Sequence, residues 1–223
     1  MPSSLWVLAL SRHVEIPSIQ QSLAKLGLVC STNRTLFVAE GRSLANLADQ
    51  PQDSVLVQPE WRGTVAGVLF GLVRILTADA NATVLLAFEP VRHDRSDSLT
   101  RGIREAIAFV RAGTGVVLFG TVPGSLGGRP QFVVARAKTL FDACLRHAPD
   151  ASAPFVGALT LPAESRTAFL KARYPRIPFR DLFNDVLAKE CRVAGCPWLS
   201  SMAGTVDRYQ ADGQRRTDVS VHA

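Results

Sequence analysis

"SVLVQPEWRGTVAG", residues 54–67, passes from a buried-strand pattern through a tight polar turn into an apolar helical one. A turn from strand to helix that carries Arg62, Gly63 and Thr64 is a place where an anion can sit, because the first amides of a helix lack partners within it. A second reading of "RGT" is local. Thr64 then caps a helix over 64–77, and Gly63 supplies the bend that starts it.

The same alternation continues outward in both directions. "LWVLALS" (5–11), "TLFVAE" (35–40), "SVLVQP" (54–59), "TVLLAFEP" (83–90) and "GVVLFGTVP" (115–123) read as strands. Helical patterns fall around 18–27, in "SLANLAD" and in "SLTRGIREAIAFVRAG" (98–113), the last capped by Ser98 and stopped by Gly113. "QFVVARAKTLFDACLRHAPD" reads as a strand and then a helix. "SRTAFLKARYPRIPFRDLFNDVLAKE" reads as helices broken at Pro175 and Pro178, and a last strand region includes "RVAGCPWLS". Near-continuous apolar strands joined by helices predict an α/β fold: a doubly wound, mostly parallel, Rossmann-like sheet with helices on both faces. Its ligand crevice is expected at the carboxyl ends of the strands. One domain over 1–209 and a frayed polar tail over 210–223 are the simplest division.

Composition narrows the function classes. The chain has 223 residues, 47% of them hydrophobic, and a formal charge of +6. That balance favours anionic partners. The basic residues are scattered, with no run beyond "QRR", which argues against nucleic acid as a partner. Cys30, Cys144, Cys191 and Cys196 are spread without zinc-finger spacing and read as idle thiols in a reducing cytoplasm. "MPSSLWVLALS" lacks the basic start and cleavage site of a signal peptide. "VAGVLFGLVRIL" is too short to span a membrane and contains Arg74. No Gly-x-Ser-x-Gly elbow accompanies Ser11, His13 or His93, so a serine hydrolase is disfavoured.

The order of these segments resembles the sugar-phosphate nucleotidyltransferases, and within them the mannose-1-phosphate guanylyltransferases (GDP-mannose pyrophosphorylases). "VLVQPEWRGTVAGVLFGLVRIL", then "TVLLAFEPVRH" and "VVLFGTVP", are similar to that family's strand and "RGTAP" helix, its strand ending in "PSDH" and its strand ending in "GIxP". "QFVVARAKTLFDACLRHAPD", "FRDLFNDVLAKE" and "GCPWLSSMAGTVDRY" resemble the later "GIFVFRAxxLL", "SFDxAVLE" and "GWSDWGT" segments. The resemblance covers roughly residues 5–209. It implies a nucleotide-diphospho-sugar transferase-like fold and a nucleoside-binding turn at Gln58, Pro59, Arg62, Gly63 and Thr64.

The departures bear on activity. Where the family carries a "GGxGTRLxPLSxxxPK" phosphate loop, this chain runs from "LWVLALS" through "RHVEIP" with no glycine. Where the family's "PSDH" aspartate holds Mg²⁺, this chain has Pro90-Val91-Arg92-His93, and a guanidinium cannot coordinate a cation. Asp94 follows two residues later. The "EKP" sugar segment is missing between Gly128 and Gln131, and the last metal carboxylate falls near Ser200 or Ser201.

The resemblance with these losses implies a degenerate, non-catalytic domain that needs no cofactor and binds a guanine nucleotide or sugar nucleotide, an active relative, or another protein. Arg12, Arg92 and His93 are the phosphate or anion candidates. The alternative is an active enzyme with remodelled ligands, in which Arg12 and Arg92 hold phosphates and Asp94 holds Mg²⁺.

Overall fold

A computed structural model describes residues 4–11, 34–40, 52–88, 96–113, 115–121, 130–190 and 193–195. Seven strands form one sheet: β1 (Leu5–Ser11), β2 (Thr35–Glu40), β3 (Val55–Gln58), β4 (Thr83–Ala87), β5 (Val116–Thr121), β6 (Pro130–Arg136) and β7 (Val193–Gly195), in the order β3-β2-β1-β4-β6-β5-β7. The pairs β1–β2, β2–β3, β1–β4 and β5–β7 are parallel, and β6 runs antiparallel to both β4 and β5. The sheet is therefore mostly parallel and α/β, as the run of apolar strands predicts.

Alternation along each strand divides the core in two. From β1, Trp6, Leu8 and Leu10 join the larger cluster, while Val7 and Ala9 join the smaller one on the opposite face. The larger face is covered by α1 (Gly63–Ala78) and α3 (Ala137–His147), with α4 (Pro149–Leu159) packed on both and α5 (Ala163–Arg173) packed on α4. The opposite face carries α2 (Ser96–Arg111), whose Ile103, Ala106, Ile107 and Val110 recur at helical spacing. Helices thus lie on both faces.

Several local expectations are corrected. α1 begins at Gly63, and its N-cap residue Arg62 makes no side-chain capping bond; Thr64 lies in the first turn. α2 begins at Ser96, so Ser98 is inside it, although Gly113 ends it with a φ of +111°. α4 has no counterpart in the sequence reading, and it forms with Pro154 inside it, a residue disfavoured in helix interiors. The stretch after α5 is a 3-10 turn (Tyr174–Arg176) and a π-helix (Leu182–Leu187), so Pro175 and Pro178 do mark an interruption. The last strand is only three residues long. The helices expected around 18–27 and in "SLANLAD", and the tail, lie outside the described residues.

α1 sits close against the sheet through two of its three glycines spaced by four, Gly67 and Gly71. A Cβ on Gly71 would lie 2.3 and 2.7 Å from the Leu8 methyls, and one on Gly67 would lie 3.0 Å from a Leu10 methyl. Hydrogen at Gly71 lets the helix backbone approach β1 this closely, and at Gly67 a methyl would need the Leu10 side chain to shift by a few tenths of an ångström.

Candidate functional site at the carboxyl end of β3

Gln58 ends β3 in register with Glu40 of β2, and it is fully buried. Its Oε1 accepts a 2.5 Å hydrogen bond from the hydroxyl of Tyr174, which is also fully buried. Burial pushes that phenol far above its ordinary pKa, so it stays protonated and donates. The other arm of the amide, Nε2, is buried with no hydrogen-bond partner.

The turn then surfaces at Pro59 and Glu60. Arg62 Nη2 reaches back to Glu60 Oε2 at 2.6 Å, while Arg62 Nε is buried without an acceptor. Gly63 adopts a φ of +87°, and a Cβ there would lie 2.2 Å from the Arg180 carbonyl oxygen. Backbone conformation and space both demand glycine.

The first turn of α1 is closed from outside by residues 180–182. Val65 N donates to the Arg180 carbonyl at 3.2 Å. The Thr64 hydroxyl accepts from Leu182 N at 2.6 Å and donates to Asp181 Oδ2 at 3.3 Å. Asp181 Oδ1 in turn accepts from Asn184 N at 3.0 Å and caps the π-helix. Arg180 is held by Asp150, in the first turn of α4, at 2.5 Å. Its hydrogen bond keeps the Asp150 carboxyl below the usual range.

Two donors therefore remain without acceptors beside this turn, Gln58 Nε2 and Arg62 Nε. They suit a ligand edge rich in acceptor atoms. Both are screened from solvent.

No family model matches the chain, and no curated protein matches it in sequence. Solved structures do match in shape. A Thermus thermophilus structure described as a mannose-1-phosphate geranyltransferase superposes with a TM-score of 0.70 at 14% identity, over 86% of this chain and 73% of that one. A Helicobacter pylori structure described as a mannose-6-phosphate isomerase gives a TM-score of 0.60 at 12% identity, over 87% of this chain and 98% of that one. The fold shared with them is α/β, a mostly parallel sheet with helices on both faces. At these identities the likeness is one of fold.

In this sheet the connections run to opposite sides of β1. β2 and β3 lie to one side and β4 to the other, so the switch point falls between the carboxyl ends of β1 and β4, where Ala9 pairs with Ala87. Of the sequence-predicted residues, Gln58, Pro59, Arg62, Gly63 and Thr64 are brought together at one turn. Arg12, Arg92 and His93 lie outside the described residues, as does Asp94.

Tyr174, Arg180 and Leu182 escape a reading of the sequence for site residues, since they reach the turn from more than 110 positions away. The glycine spacing of four in "GTVAGVLFG" is the readable signal for close packing of α1. Among the described residues, no group of three or more His, Cys, Asp or Glu side chains could hold a metal ion. Cys144 is buried, and burial pushes its thiol up to about 12, so it stays protonated and inert. No described helix is long and apolar enough to cross a membrane.

Proposed function

We propose that this nucleotidyltransferase-like domain binds a guanine nucleotide or sugar nucleotide in the cytoplasm without transferring it. The observation that carries this reading is the composition of the two chain exits at the switch point. β1 ends at Ser11 and continues in sequence as Arg12-His13-Val14-Glu15-Ile16-Pro17; β4 ends at Ala87 and continues through Glu89 and Pro90 to Arg92 and His93. Neither exit offers a glycine-rich stretch to cradle phosphates through backbone amides.

Nucleotidyl transfer depends on positioning and on offsetting charge at the phosphorus, chiefly through a metal held by carboxylates. Arg12 and Arg92 supply cationic groups for a bound phosphate, and Mg²⁺ is not required for that binding. Gln58 Nε2 and Arg62 Nε supply donors for the base. The second reading, an active transferase, rests on Asp94 alone and requires Mg²⁺-dependent pyrophosphate release.

Thermal unfolding with GTP, GDP-mannose, ATP and UDP-glucose, with and without Mg²⁺, tests this. A ligand at ~100 times its dissociation constant adds about 2.7 kcal/mol, or roughly 5–10 °C for a chain of this size. The expected result is a guanine-selective rise without Mg²⁺, weakened by Arg62→Ala and by Arg12→Ala with Arg92→Ala, and no pyrophosphate release. No shift with any nucleotide overturns the binding role and leaves a protein partner as the object of search. Pyrophosphate release overturns the non-catalytic half.

A further inference from the structure

The segment 171–180, "KARYPRIPFR", follows the end of α5 through the 3-10 turn. Every third side chain is an anchor: Tyr174 is fully buried and Ile177 is 2% exposed. The residues just before each anchor, Arg173 and Arg176, are exposed, and the series continues to Phe179, which is 61% exposed. Arg173 closes α5 and Arg176 closes the 3-10 turn that follows. Residues three apart on a helical stretch are surface neighbours, about 5–6 Å apart at Cβ, so the two arginines lie side by side, with an exposed aromatic ring three residues further along the chain.

The row is cationic and stiff. Among the described residues, no carboxylate pairs with Lys171, Arg173 or Arg176. The Arg173 guanidinium is steadied 4.8 Å above the Phe169 ring. Pro175 and Pro178 fix φ at two positions, so little backbone entropy remains to be lost on binding.

We propose that this row docks an extended acidic segment of a partner protein. In a β-strand, side chains two residues apart share a face and lie about 6.4–6.8 Å apart, close to the spacing of side chains three apart on a helical stretch. Carboxylates at alternate positions can then each face one guanidinium, and an apolar side chain further along meets Phe179. A second copy of this chain is disfavoured by its +6 charge. A membrane surface would want a whole apolar helix face where this row offers one ring, and a nucleic acid would want a longer basic track. This surface is separate from the nucleotide turn, and its test does not depend on nucleotide binding.

The test is fluorescence anisotropy of the full chain with a labelled peptide in which glutamates alternate with serines and end on a leucine. The comparison peptides hold the same residues with the glutamates adjacent, or glutamine in place of glutamate. The expected result is salt-sensitive binding of the alternating peptide. Arg173→Ala with Arg176→Ala should weaken it about tenfold, Phe179→Ser should weaken it several-fold, and Arg176→Glu should weaken it further.

Arg176 and Phe179 are exposed, so the thermal midpoint of the Arg176→Glu and Phe179→Ser variants should not move. Equal binding of the adjacent-glutamate or glutamine peptide, or no binding of the alternating one, overturns the proposal. So does tighter binding of a single-stranded RNA or of vesicles containing phosphatidylserine, each run as a parallel arm.

Discussion

Tyr174 and Gln58 lie 116 positions apart in sequence and share a buried hydrogen bond that ties the helical layer to the end of β3. Removing the phenol oxygen by Tyr174→Phe leaves Gln58 Oε1 buried and unpaired, with an expected cost of about 1–3 kcal/mol. The double variant Tyr174→Phe with Gln58→Met removes both partners and the amide nitrogen that already lacks one. It is expected to be more stable than Tyr174→Phe alone, because no buried polar atom is then orphaned. Urea midpoints at constant slope measure both. A double variant that loses at least the sum of the two single losses would refute this account. Neither residue's partner is legible from its own neighbourhood: "VLVQP" and "ARYPR" give no sign that their polar atoms meet.

Two helix-interior glycines are expected to behave oppositely. In α1, a methyl at Gly71 must displace Leu8, whose side chain is fully buried, so Gly71→Ala should cost about 1–3 kcal/mol through overpacking. In α2, a Cβ at Gly102 meets nothing within 4 Å, and Gly102→Ala should gain about 0.5–1 kcal/mol by reducing the freedom of the unfolded chain. Chemical denaturation of the two variants decides it; a gain for both would show that propensity outweighs packing here, and a loss for both would refute the account of Gly102. The sequence places Gly71 in an apolar and Gly102 in an amphipathic helical pattern, and only the tertiary packing shows what a methyl at each would meet. α4 shows the reverse limit. Pro154 sits inside a helix whose Ala151, Phe155 and Ala158 are buried, so packing of that face outweighs a local breaker.

Across the whole molecule, stability should follow position in the sheet. β1 lies between β2 and β4, and its Val7, Leu8 and Ala9 are fully buried with cores on both sides. β3 is at an edge, where Val57 is 36% exposed. Native-state hydrogen exchange is therefore expected to be slowest in β1 and β4 and markedly faster in β3, since edge amides open without global unfolding. Equal protection in β1 and β3 would contradict this ordering.

The alternation of apolar runs and helical periods in the sequence determined the α/β class and the starts of most strands, because burial on both sheet faces forces continuous apolar strands. It also determined which residues cluster at the β3 turn, since Gln58 to Thr64 are neighbours in the chain. Strand order, the reversed β6 and the closure of the α1 start by Arg180–Leu182 were decided only by tertiary structure. These are pairings between segments far apart in sequence, and a residue's local pattern records that it will be buried but not against what.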